Sequence, residues 1–435
     1  MTAVSTAASV GALSVVRPAA LQRPLASYYL VVVSTGLLLA IGFVMVLSAS
    51  SVRSYQTYHS AYAIALKQGI FIGIGLLALW VASRIPARVW RHLGLPILLG
   101  ALFLLFAVLV PGIGRNVDGA RRWIPLPGGF NLQPSELAKL GIAVWGADLL
   151  VRKRKLLGDW KHLVIPLVPV VGLVGILVML EPDMGTTIVV VSVLVALLWV
   201  VGAPGRVFAW IVGVGLALGA VMAVAEPYRL ARLTSFADPC SDTHRLLKGY
   251  QACQGLQALG GGGWVGVGLG ASREKWAGGL PNPYTDYVYA IVGEELGLLG
   301  TLTVLLLFAT LTYAGFRIAK RTKDPFARLA ATGITVWIAV QALVNMATVV
   351  GLVPVTGIPL PLISFGGSAL VPTLVGIGML LSFARDEPGA AAALASQQGK
   401  LRALVLHRPV PSAGVPSQRS RPTSVPVRRP VSRRR

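Results

Sequence analysis

The feature that most constrains this chain is a series of about ten apolar stretches, each near the roughly 20 residues that a helix needs to cross a bilayer. They lie near residues 28–49, 61–82, 93–111, 135–150, 163–180, 185–202, 207–225, 287–315, 327–350 and 365–385. A soluble protein cannot cover that much apolar surface, so lipid must be the solvent for most of the chain. The sequence therefore predicts an all-α integral membrane protein, a bundle of about ten transmembrane helices.

The composition supports this prediction. Hydrophobic residues make up 55% of the chain and charged residues 13%, with a mean hydropathy of +0.72, whereas soluble domains carry about 25% charged residues. The 39 Lys and Arg residues against 16 Asp and Glu give a net charge of +23. In a soluble protein this excess would indicate nucleic acid, but in a membrane protein it indicates cytoplasmic loops beside anionic lipid. We therefore expect membrane lipids, and no nucleic acid, as partners of the basic charge.

The basic residues alternate from loop to loop as the positive-inside rule requires. Every second connection carries arginine and lysine clusters, and the short loops near 50–60 and 181–185 carry only Arg53 between them. This pattern predicts a multi-pass protein with both termini in the cytoplasm. The segment 112–134 then lies outside the membrane.

The chain divides into three predicted parts. Residues 1–27 form a cytoplasmic N-terminal segment, and residues 28–385 form the membrane domain, with a long outer loop at about 226–283 between spans seven and eight. A secretory signal is the alternative for the first span, but its length favours a retained helix. Residues 386–435 are rich in Ala, Pro, Ser and Arg, which predicts a disordered basic cytoplasmic tail.

The clearest candidate for chemistry is Asp286, at the end of the outer loop. Two prolines followed by Thr285 and Asp286 are typical of a helix start, so either residue could cap the next helix. The alternative is a carboxylate at the outer membrane face that accepts a proton from a sugar hydroxyl, as a general base does. The preceding glycine run, residues 260–263, indicates either a flexible loop or a backbone that approaches a ligand closely.

Two further carboxylates, Glu294 and Glu295, follow in apolar surroundings. If the helix included Asp286, Glu294 would lie about 80° from it and could line the same cavity, whereas Glu295 would point away and pair with another helix. Contacts between helices are the simpler explanation for both. Gln341 and Asn345, four residues apart, likewise predict interhelical hydrogen bonds.

A basic group precedes and enters the fourth span. Arg121, Arg122 and Lys139 suit a pyrophosphate, which favours bidentate donors and point charges. The simpler explanation for Lys139 is a salt bridge with Glu136, three residues earlier on one helix face. Ser135, which follows a proline, is predicted as the N-cap of this helix.

Glu181 and Asp183 lie between two apolar stretches, where a hairpin turn explains them; a divalent cation, Mg²⁺ or Mn²⁺, is the sharper hypothesis. No cofactor is otherwise predicted. Proline and glycine in the segment 357–368 indicate a broken or re-entrant loop that lines a protected cavity. The two cysteines, Cys240 and Cys253, both lie in the outer loop, where an oxidising exterior permits a disulfide.

Several of these motifs together resemble the SEDS family (FtsW, RodA and their sporulation homologue) of bacterial cell-wall polymerases. The motifs are Arg121-Arg122-Trp123-Ile124, Gln133-Pro134-Ser135-Glu136-Leu137-Ala138-Lys139, Glu181-Pro182-Asp183-Met184-Gly185-Thr186, Gly249-Tyr250-Gln251, Thr285-Asp286-Tyr287 through Gly293-Glu294-Glu295-Leu296-Gly297, and Pro361-Leu362-Ile363-Ser364-Phe365-Gly366-Gly367-Ser368. They fall in order over roughly residues 28–385. The outer-loop motif is more similar to the division members of the family than to the elongation members.

The resemblance implies a ten-helix fold in the bacterial plasma membrane, at the division septum, and an inverting peptidoglycan glycosyltransferase that polymerises lipid II. It implies that Asp286 is the essential aspartate, and that Arg122 (or Arg121) and Lys139 are the family's basic residues. It also implies a class B penicillin-binding protein as transpeptidase partner, with other divisome proteins. A lipid-linked precursor flippase or transporter is the rival function, and a non-catalytic scaffold a third.

On this basis the expected catalytic residue is Asp286, with no assigned metal ligand. The expected substrate-binding residues are Arg121, Arg122, Gln133, Ser135, Glu136, Lys139, Glu181, Asp183, Gln251, Lys275, Glu294, Ser364 and Ser368. The segment Leu280-Pro281-Asn282-Pro283-Tyr284 departs from the family's usual Leu-Pro-Glu-Ala-His before Thr-Asp, which leaves Asp286 itself untouched.

Overall fold

The computed structural model describes residues 25–117, 120–127, 130–156, 161, 164–225, 236, 238–241, 249–276, 278–390 and 393. Across these ranges the chain forms a bundle of α-helices and one small sheet. The helices are α1 (Ala26–Tyr58), α2 (Ala63–Arg84), α3 (Ala87–Leu109), α4 (Pro134–Arg152), α5 (Leu167–Leu180), α6 (Met184–Val201), α7 (Gly205–Ala225), α8 (Tyr250–Gly262), α9 (Val288–Arg321), α10 (Pro325–Val349) and α11 (Gly367–Arg385). The predicted N-terminal segment up to residue 24, much of the 226–248 region and nearly all of the basic tail lie outside the described residues.

The helices support a multi-pass membrane protein. Seven of those described are long and apolar enough to cross a bilayer, namely α1, α2, α3, α6, α9, α10 and α11. The predicted fourth, fifth and seventh spans correspond to α4, α5 and α7. Of these, α4 carries charged residues along its length, and α5 has only 14 residues. The predicted helical membrane class is confirmed, whereas the count of ten spans stays a prediction.

The segment between α3 and α4 forms a sheet that the all-α prediction did not include. Its three short antiparallel strands are β1 (Arg115–Val117), β2 (Ala120–Leu126) and β3 (Phe130–Leu132), with β2 in the centre. Arg121 pairs with Asn116 across the sheet, and Ile124 pairs with Leu132. The sheet therefore presents the basic residues of β2 beside the start of α4.

Helices α10 and α11 form much of the interior, since most of their residues are buried. Helix α11 packs on α2, α3 packs on α4, and α9 packs on both α10 and α1. Small residues permit close approaches: a Cβ on Gly42 of α1 would lie only 2.7 Å from the Cα of Ile363. The first helix therefore touches the backbone of the loop that precedes α11.

The start of α4 corrects one prediction. The helix begins at Pro134, so Gln133 occupies the N-cap position and Ser135 is the second helical residue. Proline suits the first helical position because its missing N–H has no partner there in any case. The prediction that Ser135 caps this helix was therefore wrong.

Helix α9 is broken at Gly297, whose backbone angles are φ 66° and ψ −162°. A Cβ there would lie 2.4 Å from the backbone nitrogen of Gly266, so only glycine fits. Four backbone N–H to O bonds connect the break to the glycine-rich loop: Val267 to Glu294, Gly268 to Glu295, Leu298 to Gly263 and Leu299 to Trp264. The glycines thus allow the backbone of the loop to hydrogen-bond to the backbone of α9 at the point where this helix is interrupted.

The end of the bundle away from the sheet carries ion pairs. Asp148 of α4 accepts from Arg91 and from Arg152, each at 2.5 Å, and Arg321 contacts Glu387 at 2.9 Å. At the other end, a disulfide joins Cys240 to Cys253 in α8. The disulfide that the sequence left open is therefore formed.

Candidate active site

Asp286 lies in a series of turns that ends just before α9, which begins at Val288 with Tyr287 in the N-cap position. The prediction that Thr285 or Asp286 caps this helix was therefore wrong. The carboxylate is instead partly exposed, and it accepts hydrogen bonds from Gln251 (Nε2 to Oδ2, 3.3 Å) and from Thr285 (Oγ1 to Oδ1, 3.0 Å). A carboxylate set in this way is oriented by neighbours yet accessible to a ligand.

The backbone of Asp286 is fixed by a residue absent from the predicted site. Asn345 of α10 donates from Nδ2 to the carbonyl oxygen of Asp286 at 2.7 Å and to that of Ile358 at 2.8 Å. One amide thereby joins the Asp286 turn to the loop before α11. The only sequence signal was its spacing from Gln341, which predicted bonds between helices and not to these carbonyls.

Lys139 lies wholly inside the bundle, with no exposed surface. Its Nζ donates to Glu136 Oε1 at 2.8 Å and to Gln341 Oε1 at 2.6 Å, and it lies 5.4 Å from the ring centroid of Trp337. The predicted Glu136–Lys139 salt bridge and the interhelical role of Gln341 are confirmed. Gln341 also donates from Nε2 to the carbonyl of Pro359 at 3.1 Å, beside the residue that Asn345 contacts.

Arg122 contacts the turn between α5 and α6. Its Nε donates to the carbonyl of Glu181 at 2.8 Å, and Nη2 donates to the carbonyl of Pro182. Adjacent residues of a strand face opposite sides, so Arg121 does not share this contact. Of the two arginines, Arg122 is therefore the one that joins the sheet to the helical bundle at this turn.

Asp183 caps α6, as a hairpin turn requires, because it accepts from the backbone N–H of Thr186 at 3.1 Å. The same carboxylate accepts from Gln133 Nε2 at 3.2 Å, and the N–H of Gln133 donates to Ser368 Oγ at 2.9 Å. Three predicted site residues, Gln133, Asp183 and Ser368, are therefore brought together at the start of α4.

Glu181 is fully buried, and neither of its carboxylate oxygens has a hydrogen-bond partner among the described residues. Burial first, and then the nearby charge of Asp183, raise the pKa of Glu181, Arg122 opposes them, and the net pKa is about 9. Glu181 is therefore protonated and neutral at pH 7. In the described ranges, no three His, Cys, Asp or Glu side chains are grouped to hold a metal ion, so the cation hypothesis has no ligand set there.

The two glutamates of α9 hold the loop that precedes it. Glu294 accepts from Ser272 Oγ at 2.5 Å and from the N–H of Arg273 at 2.7 Å. Glu295 accepts from Ser48 of α1 at 2.6 Å and from Lys275 at 3.5 Å, which confirms the prediction that it pairs with another helix. Because Asp286 precedes the helix, the helical angle between it and Glu294 does not apply, and a shared cavity for the two carboxylates stays a prediction.

The comparisons with known proteins decide the family. Residues 28–388 match the FtsW/RodA/SpoVE family, described as cell cycle proteins. The chain belongs to this family. The probable peptidoglycan glycosyltransferase FtsW of Mycobacterium tuberculosis is 41% identical over 397 residues, which cover 91% of this chain and 75% of that protein. Stage V sporulation protein E of Bacillus subtilis is 38% identical over 356 residues, covering 82% and 96%.

Solved structures of the FtsW/RodA/SpoVE family share the fold. The rod shape determining protein RodA of Thermus thermophilus matches with a TM-score of 0.61 at 27% identity, over 82% of this chain and 96% of that one. A chain from the structure described as "Structural coordination of polymerization and crosslinking by a peptidoglycan synthase complex" matches with a TM-score of 0.64 at 28% identity, over 82% and 97%. The resemblance to the SEDS family is therefore confirmed.

Within this family fold, the remaining predicted residues are dispersed. Lys275 donates to the carbonyl of Gly270 in its own loop and to Glu295 of α9, so it joins this loop to the helix. Ser364 accepts from the N–H of Leu360 at 2.8 Å and shapes its own turn. Ser135 is buried, and its hydroxyl contacts no hydrogen-bonding atom of the described chain. Their roles toward a substrate stay predictions.

Proposed function

We propose that this chain is a peptidoglycan glycosyltransferase that polymerises lipid II, with Asp286 as the general base. The single observation that carries the proposal is the setting of Asp286: a partly exposed carboxylate, outside any helix, whose side chain and backbone are oriented by Gln251, Thr285 and Asn345. A general base must be reachable by its substrate and held in a fixed direction. Family membership and the names of the relatives support the activity.

In the proposed reaction, Asp286 accepts the proton of the acceptor sugar's 4-hydroxyl. The hydroxyl oxygen attacks the anomeric carbon of the donor sugar from the face opposite the pyrophosphate. A new glycosidic C–O bond forms while the bond to pyrophosphate breaks, and the pyrophosphate leaves with that electron pair. The anomeric configuration inverts, and no covalent sugar–enzyme intermediate is needed.

The leaving pyrophosphate requires positive charge. Arg122, on the strand beside the 181–183 turn, is the cation assigned to it. Protonated Glu181 favours this assignment because a neutral carboxyl does not repel the phosphates. Lys139 does not contact the pyrophosphate in this proposal and acts indirectly. Its buried ammonium group hydrogen-bonds to Gln341, and Gln341 hydrogen-bonds to the carbonyl of Pro359 in the loop before α11.

The proposal extends to the orientation of the protein and to its partners. We assign both termini to the cytoplasm, from the distribution of basic residues, and the protein to the division septum, from the FtsW relatives. A related chain occurs in a peptidoglycan synthase complex that coordinates polymerization and crosslinking. That relationship supports a class B penicillin-binding protein as partner, with other divisome proteins around the pair.

The first experiment replaces the proposed base. Asp286→Asn and Asp286→Ala are assayed for glycan strands from labelled lipid II, with the transpeptidase partner present. Because general-base catalysis contributes about 10²- to 10⁴-fold, we expect polymerisation to fall by at least about 100-fold, with an unchanged melting temperature.

Asp324→Asn is the matched control, because Asp324 caps α10 through the N–H of Phe326 and asparagine caps equally well. It should polymerise normally. A wild-type rate for either Asp286 variant would refute the role of Asp286. If the wild-type protein moved lipid II across vesicles without making glycan, the flippase would be favoured instead.

A further inference from the structure

A row of aromatic rings leads away from Asp286. Tyr284 lies two residues before it, and its ring contacts Phe365 edge-on, with centroids 5.6 Å apart. Phe365 contacts Phe71 of α2 at 5.9 Å, and Phe71 contacts Phe130 of β3 at 5.3 Å, both again edge-on. All four residues are partly exposed. The row thus joins four separate segments of the chain into one surface.

The row is rigidly attached to the Asp286 turn. The N–H of Phe365 donates to the carbonyl of Tyr284 at 2.9 Å. Edge-to-face contacts are a favoured geometry for aromatic pairs, so each ring restrains the next. A partly exposed and restrained set of rings loses little conformational freedom when a ligand binds to it.

Two cationic groups lie near the Tyr284 end of this row, Arg53 directly and Lys67 through Tyr58. Helix α1 has 33 residues, about 50 Å in length against a hydrocarbon core of about 30 Å, and its last turns carry Arg53 and Tyr58. Burial raises the pKa of the Tyr284 hydroxyl, while the nearby charge of Arg53 opposes that shift. Lys67 lies 4.6 Å from the ring centroid of Tyr58 and hydrogen-bonds to its hydroxyl at 3.3 Å.

We infer that the row of Tyr284, Phe365, Phe71 and Phe130 is a platform for the acceptor saccharide, and that Arg53 and Lys67 bind the carboxylates of its attached peptide. The inference rests on the proposed function, in which Asp286 acts on the acceptor's 4-hydroxyl. Sugar rings present C–H faces that pack on aromatic rings, and arginine and lysine pair with carboxylates. The platform would hold the acceptor while its hydroxyl points to Asp286.

A membrane-interface belt is the other known use of exposed tyrosines. Tyr55 and Tyr62, which are 62% and 69% exposed, fit that use. The platform differs, because its rings come from four segments and contact one another. A belt anchors each ring to lipid separately and requires no such contacts.

The test measures binding, so it does not depend on catalysis. The probe is a fluorescent, lipid-free disaccharide–pentapeptide, followed by anisotropy with the purified full-length protein. Tyr284→Leu should weaken binding about tenfold or more, whereas Tyr284→Phe, which keeps the ring, should stay within about threefold of wild type. Tyr62→Leu is the matched control for a lipid-facing tyrosine and should bind normally.

Two further arms separate the parts of the inference. Arg53→Gln should weaken binding of the peptide-bearing probe but not of the same disaccharide without its peptide. Asp324→Asn, which changes only the cap of α10, should bind the probe as wild type does. Wild-type binding by Tyr284→Leu would overturn the platform, as would an equal loss in Tyr62→Leu.

The outcomes also distinguish this inference from the proposed function. If Asp286→Asn fails to polymerise while Tyr284→Leu binds normally, only the platform is wrong. If Asp286→Asn polymerises at the wild-type rate, the proposed base is wrong whatever the binding data show.

Discussion

Asp286 and Lys139 are the two charged residues that the family resemblance singles out most clearly, and the protein surrounds them in opposite ways. Asp286 is partly exposed, lies in turns and accepts hydrogen bonds from two neighbouring side chains. Lys139 lies on a helix, is completely buried inside the bundle, and donates hydrogen bonds to Glu136 and Gln341. The first arrangement suits a group that meets substrate, and the second suits a group that fixes other groups in place.

The two environments are connected through α10. Gln341 contacts Lys139 and the carbonyl of Pro359, and Asn345, one turn later, contacts the carbonyls of Ile358 and Asp286. A buried charge can therefore influence a half-exposed carboxylate without touching it. The contrast predicts that changes at Lys139 act on stability first, whereas changes at Asp286 act on the reaction alone.

The largest expected effect is at Lys139. Lys139→Met should lower the stability of the purified protein by about 3–5 kcal/mol, because Glu136 is left buried without its partner. Thermal unfolding in detergent measures the loss. The double variant Lys139→Met, Glu136→Gln should regain most of it while polymerising poorly. If Lys139→Met melted at the wild-type temperature, Lys139 would not act mainly on stability, and the proposed difference between Lys139 and Asp286 would be wrong.

The next effect tests the connection itself. Asn345→Ala removes the two hydrogen bonds that join the carbonyl of Asp286 to that of Ile358 through one side chain. Small displacements of a catalytic group can cost about 100-fold in rate. We expect lipid II polymerisation to fall about 10- to 100-fold. Leu343→Ala, an exposed position on the same helix, is the control. Equal rates for the two variants would show that Asn345 does not position the base.

The last prediction concerns the pH dependence of stability and not the reaction. The pKa of Glu181 is raised from 4.5 to about 9 in the folded protein. The folded state therefore retains a proton that the unfolded chain releases, and stability falls as pH rises between those two values. Glu181→Gln lacks this dependence.

The melting temperatures of Glu181→Gln and wild type should match near pH 5. The variant should become relatively more stable as the pH approaches 9. A constant difference across this range would mean that Glu181 is ionised in the folded protein at neutral pH.

Local patterns in the sequence predicted local structure well. The spacing of Glu136 and Lys139 gave a salt bridge that the fold contains at 2.8 Å, and the apolar stretches correspond to helices of the bundle. The two N-cap predictions failed for different reasons. Gln133 and not Ser135 is the N-cap of α4, because Pro134 occupies the first helical position. Asp286 does not cap α9 because it lies before the N-cap residue, in turns that are hydrogen-bonded to residues distant in sequence.

Local sequence patterns could not predict the contacts that shape the candidate site. Asn345 is 59 positions from Asp286, and Phe71 is far in sequence from both Phe130 and Phe365. Such pairings depend on how helices pack, which one sequence does not specify. Glu181 is similar: its turn was predicted, but its burial, and therefore its protonation, depends on the strands and helices packed around it.

The break at Gly297 divides α9 into two mechanically distinct pieces. The short piece from Val288 to Leu296 is bonded to the glycine-rich loop and to α1. The longer piece is bonded to the same loop at its start, through Leu298 and Leu299, and continues towards Arg321 as a spanning helix. The glycine-rich loop therefore bridges the break, so a shift of the longer piece would reach the Asp286 turn through this loop as well as through Gly297. The interrupted helix thus carries a hinge whose two sides are held by one common loop.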